Sequence, residues 1–198
     1  MNRLILASSS TVRARLLREA GVEFAVEPAR VDEESVKESM LAEKHAPRAI
    51  ADALAELKAL RVSQKHPGTL VLGADQVLVF EGRLLSKSES LEEARLLLRR
   101  LRGNAHDLIS ALVLAKDGAA IWRHVEKSTL AMRNFSDAFL DDYLAAEGEE
   151  LLSGVGCYRL EGRGVQLFSR IDGDYFAILG LPLIPLLSAL REQGVLAS

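Results

Sequence analysis

Apolar and polar positions alternate along this chain with two different spacings. Short continuous apolar runs, residues 4–7 and the stretch on either side of Gly73-Ala74-Asp75-Gln76, predict buried β-strands. Between them lie amphipathic stretches with helix signals at their ends. Ser8, Ser9 and Ser10 offer caps for a helix reaching about Ala20, with Leu16 and Leu17 inward and Gly21 just past its end. Residues 24–26 predict a second short strand, and the polar, charged residues 28–46 a long loop with one helical turn. Pro47 suits the first position of a helix that Ile50, Leu54, Leu57 and Leu60 continue to about Lys65, where His66-Pro67-Gly68 breaks it.

The second half repeats the alternation. Glu81-Gly82-Arg83 reads as a turn, and Ser90-Leu91-Glu92-Glu93 starts a helix that runs through Leu101 to Gly103. Residues 107–115 and 120–132 bracket Asp117-Gly118, a hairpin signal, and Ser136 caps a helix to about Glu147. Residues 157–160 and 165–171 predict short strands before a proline-bearing C-terminal helix. The pattern is that of an α/β chain. Its expected architecture is a central mixed sheet flanked by helices, with residues 1–198 as one domain whose two lobes enclose a cleft.

Composition narrows the function. The 198 residues are 48% hydrophobic and 27% charged, with a formal net charge of −3, which argues against a surface built for a nucleic-acid polymer. Cys157 is the only cysteine, so no intrachain disulfide or cysteine-based zinc site is available, and a reducing cytoplasm is the expected setting. The apolar N-terminal run is too short for a signal peptide or a membrane span, and Pro182, Pro185 and Ser188 interrupt the apolar stretch 179–190, so no membrane partner is expected. A P-loop, a GxGxxG fingerprint and a GxSxG elbow are all missing from the sequence.

Several groups of residues could carry chemistry. Asp75 interrupts an apolar run, where a buried carboxylate needs a cation, a metal ion or hydrogen-bond donors; a strand end facing water is the plainer account. The segment Ser8-Ser9-Ser10-Thr11-Val12-Arg13 joins a buried strand to a helix start, a natural anion site, although a serine-rich cap with solvated arginines explains it as well. Asp32, Glu33 and Glu34 form an acidic run that could complete an oxygen-rich site for Mg²⁺ or Mn²⁺ with Asp75, or simply face solvent. Lys58 and Lys87 are cations on a helix and beyond a turn, and Glu161-Gly162-Arg163-Gly164 is a tight glycine-flanked turn. His106 has no second histidine at metal-ligand spacing.

In order, these pieces resemble the Maf nucleotide pyrophosphatases over nearly the whole chain. The opening Leu6-Ala7-Ser8-Ser9-Ser10-Thr11-Val12-Arg13 with Leu16-Leu17, Val31-Asp32-Glu33, Lys58-Ala59, Gly73-Ala74-Asp75, Ser86-Lys87-Ser88, Gly103 to His106, and Gly180-Leu181-Pro182-Leu183 carry the likeness. The chain departs from the family pattern at Thr11 and Val12, where the family has proline and arginine, and at Ser86 and Ser88, where it has glycine and proline. Gln76 and Glu161 resemble the branch acting on 7-methyl-GTP, although that branch carries tryptophan where this chain has Val12.

The resemblance implies an inosine triphosphate pyrophosphatase-like fold and hydrolysis of a nucleoside triphosphate between its α and β phosphates. It makes Asp75 the proton acceptor, assigns a divalent cation (Mg²⁺ or Mn²⁺) to Glu33 and Asp75, and gives Lys87, Lys58, Arg13, Ser8 and Ser10 to the phosphates. It assigns Val12, Gln76 and Glu161 to the base side of the substrate. The other readings are a dTTP/UTP pyrophosphatase of the same family and an inactive nucleotide-binding regulator of cell division. A homodimer would be typical of such relatives.

Overall fold

The computed structural model describes residues 4–197. Among the described residues, seven strands and seven α-helices follow in the order β1 (Leu4–Leu6), α1 (Thr11–Glu19), β2 (Ala25–Val26), α2 (Glu33–Ala42), α3 (Pro47–Ser63), β3 (Leu70–Phe80), β4 (Arg83–Leu85), α4 (Leu91–Leu101), β5 (Ala105–Lys116), β6 (Ala119–Met132), α5 (Asp137–Glu147), β7 (Phe168–Asp172), α6 (Tyr175–Ile178) and α7 (Leu183–Glu192). The strands form one mixed sheet with hydrogen-bonded order β2-β1-β3-β5-β6-β7, and β4 pairs with β3. β1 is parallel to β2 and β3, whereas β3–β4 and β6–β7 are antiparallel. The expected α/β class with a mixed sheet is what the chain forms.

The chain divides into two compact units, one of residues 1–76, 109–126 and 174–198, the other of residues 77–108 and 127–173. In the first unit the sheet is buried on both faces, which explains why β1 and β3 read as continuous apolar runs. Leu4, Leu6, Leu70, Leu72 and Ala74 pack with Leu16 and Leu17 of α1 and with Leu186 and Leu190 of α7. Ile5, Ala7 and Val71 meet Val62 of α3 on the opposite face. Strand side chains alternate, so Gly73 and Asp75 follow Val71 toward α3, and Gln76 follows Ala74 toward the other face.

The second unit holds α4, α5, β4 and β7. Ser90 and Ser136 cap its helices by accepting from Glu93 N and Phe139 N. Its core includes Leu98, Leu101, Phe135, Leu140, Tyr143 and Leu167, all buried.

Three local expectations need correction. Residues 33–42, expected within a loop, form α2; no residue in it is buried, so it shows no apolar stripe to read. Its helix comes from end effects instead: Asp32 accepts from Ser35 N, and Glu33 and Glu34 lie in the first turn, where the helix dipole favours them. Residues 157–160 are not a strand, and Cys157 takes a left-handed φ of 53° that breaks extended structure. The expected strand 165–171 is shortened to Phe168–Asp172, because Arg163–Leu167 winds as a 3₁₀ turn.

Candidate active site

The site is built on a close approach between α3 and β3. A Cβ at Gly73 would fall 2.1 Å from Ala55 O and 2.8 Å from Ala59 Cβ, so only glycine lets the helix lie this near the strand. Small residues at Ala55 and Ala59 complete the contact, and Lys58 between them is carried down onto Asp75. Lys58 Nζ donates to Asp75 Oδ1 at 2.7 Å and lies 2.8 Å from Glu33 Oε1. Asp75 and Lys58 are only 4% and 7% exposed. Asp75 is thus mid-strand and buried, and the strand-end account fails.

Charges buried together hold one another in place. Burial pushes the Asp75 carboxyl above its usual range, against the pull of Lys58 and Arg13. Burial likewise lowers the Arg13 guanidinium, while Asp75 and Glu33 raise it. One atom is left over. Asp75 Oδ2 is buried and without a hydrogen-bond partner among the described residues. Such an oxygen calls for a donor or a cation.

Arg13 reaches the same region from α1. Ser10 caps that helix by accepting from Arg13 N at 3.3 Å. The Arg13 side chain donates to Ser8 Oγ at 3.1 Å, to Ala74 O at 3.1 Å and to Gly180 O at 2.8 Å. Gly180, with φ 88°, turns its carbonyl onto the guanidinium, which is what the closing Gly-Leu-Pro-Leu segment does structurally. Ser8 Oγ also accepts from Ser10 N at 3.2 Å. With both lone pairs occupied, the Ser8 hydroxyl keeps its proton for an incoming acceptor.

Gln76 sits on the other face of β3. Its Nε2 lies 2.9 Å from Ser110 Oγ, 3.1 Å from Ala177 O and 3.0 Å from Ile178 O. Val12 is half-buried against the apolar cluster of α1 and α7. The first unit therefore brings together Ser8, Ser10, Arg13, Glu33, Lys58 and Asp75. Lys87 and Glu161 belong to the second unit. Lys87 is exposed just beyond β4, and its neighbour Ser88 is buried, accepting from Cys157 Sγ at 3.3 Å. Glu161 is half-buried in a turn that Gly164 allows, since a Cβ there would meet Arg159 O at 2.5 Å.

Sequence reasoning missed Ser110 and the packing role of Gly73. Ser110, 1% exposed, holds Gln76. Gly73 acts with Ala55 and Ala59; the visible signal was a pair of alanines one helical turn apart and a glycine inside a strand.

The Maf-like protein family profile matches residues 3–193. The chain belongs to the Maf family. It is similar to proteins named nucleoside triphosphate pyrophosphatase from Granulibacter bethesdensis, at 53% identity over 98% of both chains, and from Caulobacter vibrioides, at 56% over 96% of both. A relative with the same name from Ruegeria pomeroyi is 52% identical over 98% of this chain and 97% of its own. A solved nucleoside-triphosphatase / dITP/XTP pyrophosphatase from Mycobacterium abscessus aligns with 67% of this chain and 73% of its own at 18% identity and a TM-score of 0.39, too remote to bear on the site. Among the Maf-type residues, the serine turn, Arg13, Lys58 and Asp75 form the connected set described above.

A divalent cation fits part of this donor set. Hard ions such as Mg²⁺ take one or two carboxylates and keep water and substrate phosphate oxygens for their other positions. Asp75 Oδ2 is an unpaired oxygen of the right kind, and Glu33 is linked to the same carboxylate through Lys58. Among the described residues no three acidic, histidine or cysteine side chains gather as a complete metal shell, so such an ion would depend on the substrate's oxygens.

Proposed function

We propose that this Maf-family protein is a hydrolase that cleaves nucleoside triphosphates between the α and β phosphates, releasing a monophosphate and pyrophosphate. The observation that carries the reading is the buried Asp75 carboxylate, clamped at Oδ1 by Lys58 and unpaired at Oδ2. A clamped carboxylate with one free oxygen is an oriented proton acceptor. The names of the relatives support the same chemistry.

In this mechanism Asp75 Oδ2 accepts a proton from water as its oxygen bonds to the α phosphorus. The bond from that phosphorus to the bridging oxygen breaks, and pyrophosphate departs with the electron pair. The acquired proton passes to solvent. Arg13, Lys58 and Lys87 offset the negative charge that gathers on the leaving group, and the Ser8 hydroxyl donates to a phosphate oxygen; Ser10 shapes the turn that presents it. Glu33 would hold a divalent cation beside Asp75, and the ion would supply further charge stabilisation to the phosphate oxygens when bound.

Gln76 and Glu161 are assigned to the base, with 7-methyl-GTP or another modified nucleotide as the preferred substrate. The Glu161 carboxylate suits a guanine, because its two oxygens can accept from the N1–H and the exocyclic amine together. The dTTP/UTP reading stays as the second one, because Val12 is packed against core and offers no ring to stack on a purine. A cytoplasmic setting belongs to the proposal and rests on the single buried thiol.

Pyrophosphate release from 7-methyl-GTP, GTP, dTTP, UTP and CTP, with Mg²⁺ or Mn²⁺ and then with a chelator, tests the proposal. Turnover that stops in Asp75→Asn and with chelator is expected. Triphosphate binding without turnover under any metal would replace the hydrolase by the regulator.

A further inference from the structure

Lys87 stands in a short connection whose two ends are fixed. Before it, Leu85 closes β4 against Leu78 of β3. After it, Glu89 N donates to Glu93 Oε2 at 2.8 Å, and Ser90 caps α4. Of residues 86–90 between these ends, Ser88 alone is buried, while Ser86, Lys87, Glu89 and Ser90 are exposed. Ser88 Oγ accepts from Cys157 Sγ at 3.3 Å, and the Ser88 backbone N–H acts on the same sulfur. Burial pushes the Cys157 thiol up, so at pH 7 it keeps the proton that it donates.

Cys157 is itself firmly anchored. Its N–H donates to Gly154 O at 3.3 Å, and its neighbour Tyr158 is held by His106 Nε2 at 2.6 Å and by an edge contact with Phe168. The Cys157 φ of 53° lies where glycine is favoured, and a side chain persists there only when its surroundings hold it. The Ser88–Cys157 bond thus joins the one buried point of an exposed connection to a fixed turn. A proline at position 88, as in the family pattern, has neither a hydroxyl nor an N–H and could make no such bond. Its ring would instead set its own φ and keep the preceding residue extended.

We propose that Ser88 and Cys157 are positioning residues for Lys87: a buried hydrogen bond does here what a proline ring does in the family pattern, fixing the backbone that presents the ammonium to the triphosphate. This rests on the reading of Lys87 as a phosphate contact in a nucleotide hydrolase. Neither residue touches substrate in this account, and both act through Lys87. Losing the bond leaves the ammonium intact but lets its backbone shift, so it costs only part of what removing the ammonium costs.

A set of coupled substitutions tests this, with kcat/KM read from pyrophosphate release on the fastest nucleotide of the panel above and folding checked by circular dichroism. Lys87→Ala is expected to lower kcat/KM by about 10²-fold. Cys157→Ala and Ser88→Ala should each lower it by about ten-fold. Cys157→Ala should add nothing once Lys87 is replaced by alanine, and nothing in a Ser88→Pro background, where the ring supplies the constraint. A mere packing defect would lower activity equally in all three backgrounds. Ser88→Ala, which removes one atom, carries the test with Lys87→Ala if Cys157→Ala does not fold.

Equal losses from Cys157→Ala in the three backgrounds, or full activity of the folded Cys157→Ala and Ser88→Ala variants, would overturn the positioning role. Full activity of Lys87→Ala would overturn it too and leave the hydrolase reading, which stands on Asp75, intact. If the wild type binds triphosphates without turnover, the hydrolase reading fails and the same set is read in Kd. There, a weakening of about ten-fold by Cys157→Ala that vanishes in the Lys87→Ala background supports the positioning role, and no weakening overturns it.

Discussion

The two units bury polar chemistry in opposite ways. In the first, Asp75, Lys58 and Glu33 are buried or half-buried as charges, linked by contacts of 2.7 and 2.8 Å. In the second, His106 is 3% exposed and shares a 2.6 Å hydrogen bond with Tyr158, with Phe168 alongside at a ring separation of 6.2 Å. Burial lowers His106 to about 4, so it is neutral at pH 7. Burial also pushes the Tyr158 hydroxyl well above its ordinary range. The first arrangement pairs opposite charges; the second neutralises a titratable group and uses it as packing. Perturbed titration alone does not mark a site. The geometry of partners separates the two.

The largest expected effect lies in the charged unit. Asp75→Asn should lower pyrophosphate release by about 10³-fold, the scale of a lost general base. Its folded-state carboxyl is raised, so whatever stability the protonated form confers is lost as pH rises through the carboxylate range. Asn is neutral and Lys58 keeps Glu33 as its counter-charge, so thermal melts at pH 7 should show the variant at least as stable as wild type. A strongly destabilised Asp75→Asn would break the contrast, because the charge would then be holding the fold.

Lys58→Ala should do the reverse. Removing the cation leaves Asp75 buried without its counter-charge, a loss of about 3 kcal/mol in denaturant unfolding, together with loss of turnover.

The neutral unit gives a pH signature of similar size. Between pH 6.5 and about 4 the unfolded chain binds a proton that folded His106 refuses. Stability should therefore be full above about pH 6.5 and fall by about 3 kcal/mol toward pH 4. His106→Asn should flatten that limb in unfolding titrations. If the limb persists unchanged, His106 is not the group responsible.

Gly73→Ala drives a methyl into the Ala55 carbonyl and should cost about 1–3 kcal/mol by overpacking. Displacing Lys58 by a fraction of an ångström should also reduce turnover, by roughly 10²-fold for a shift near 1 Å. Smallest of all, Ser90→Ala removes the α4 cap for about 1 kcal/mol and leaves turnover unchanged.

Elements stated by local chemistry were legible in the residues alone. Ser10, Ser90 and Ser136 cap the helices they were expected to cap, and Asp117-Gly118 turns the β5–β6 hairpin with both φ values positive, 52° and 76°. The apolar runs of β1 and β3 announced strands covered on both faces. Helix α2 was hidden because it buries nothing, so its helix rests on a cap and charges rather than on a stripe. The run at Cys157 misled because its apolar neighbours are buried in a turn, with Ser88 rather than a strand as the thiol's partner.

The sequence by itself determined the α/β class, most helix starts and the residue types that can carry charge, because those depend on interactions within a few residues. Tertiary structure alone decided that Lys58 meets Asp75 across 17 residues, that Arg13 meets Gly180 across 167, and that Gln76 meets Ala177 across 101. Such pairings depend on how closely helix and strand approach and on which face of β3 a side chain leaves. A glycine too small to hold α3 away and the two-residue period of a strand are the physical reasons.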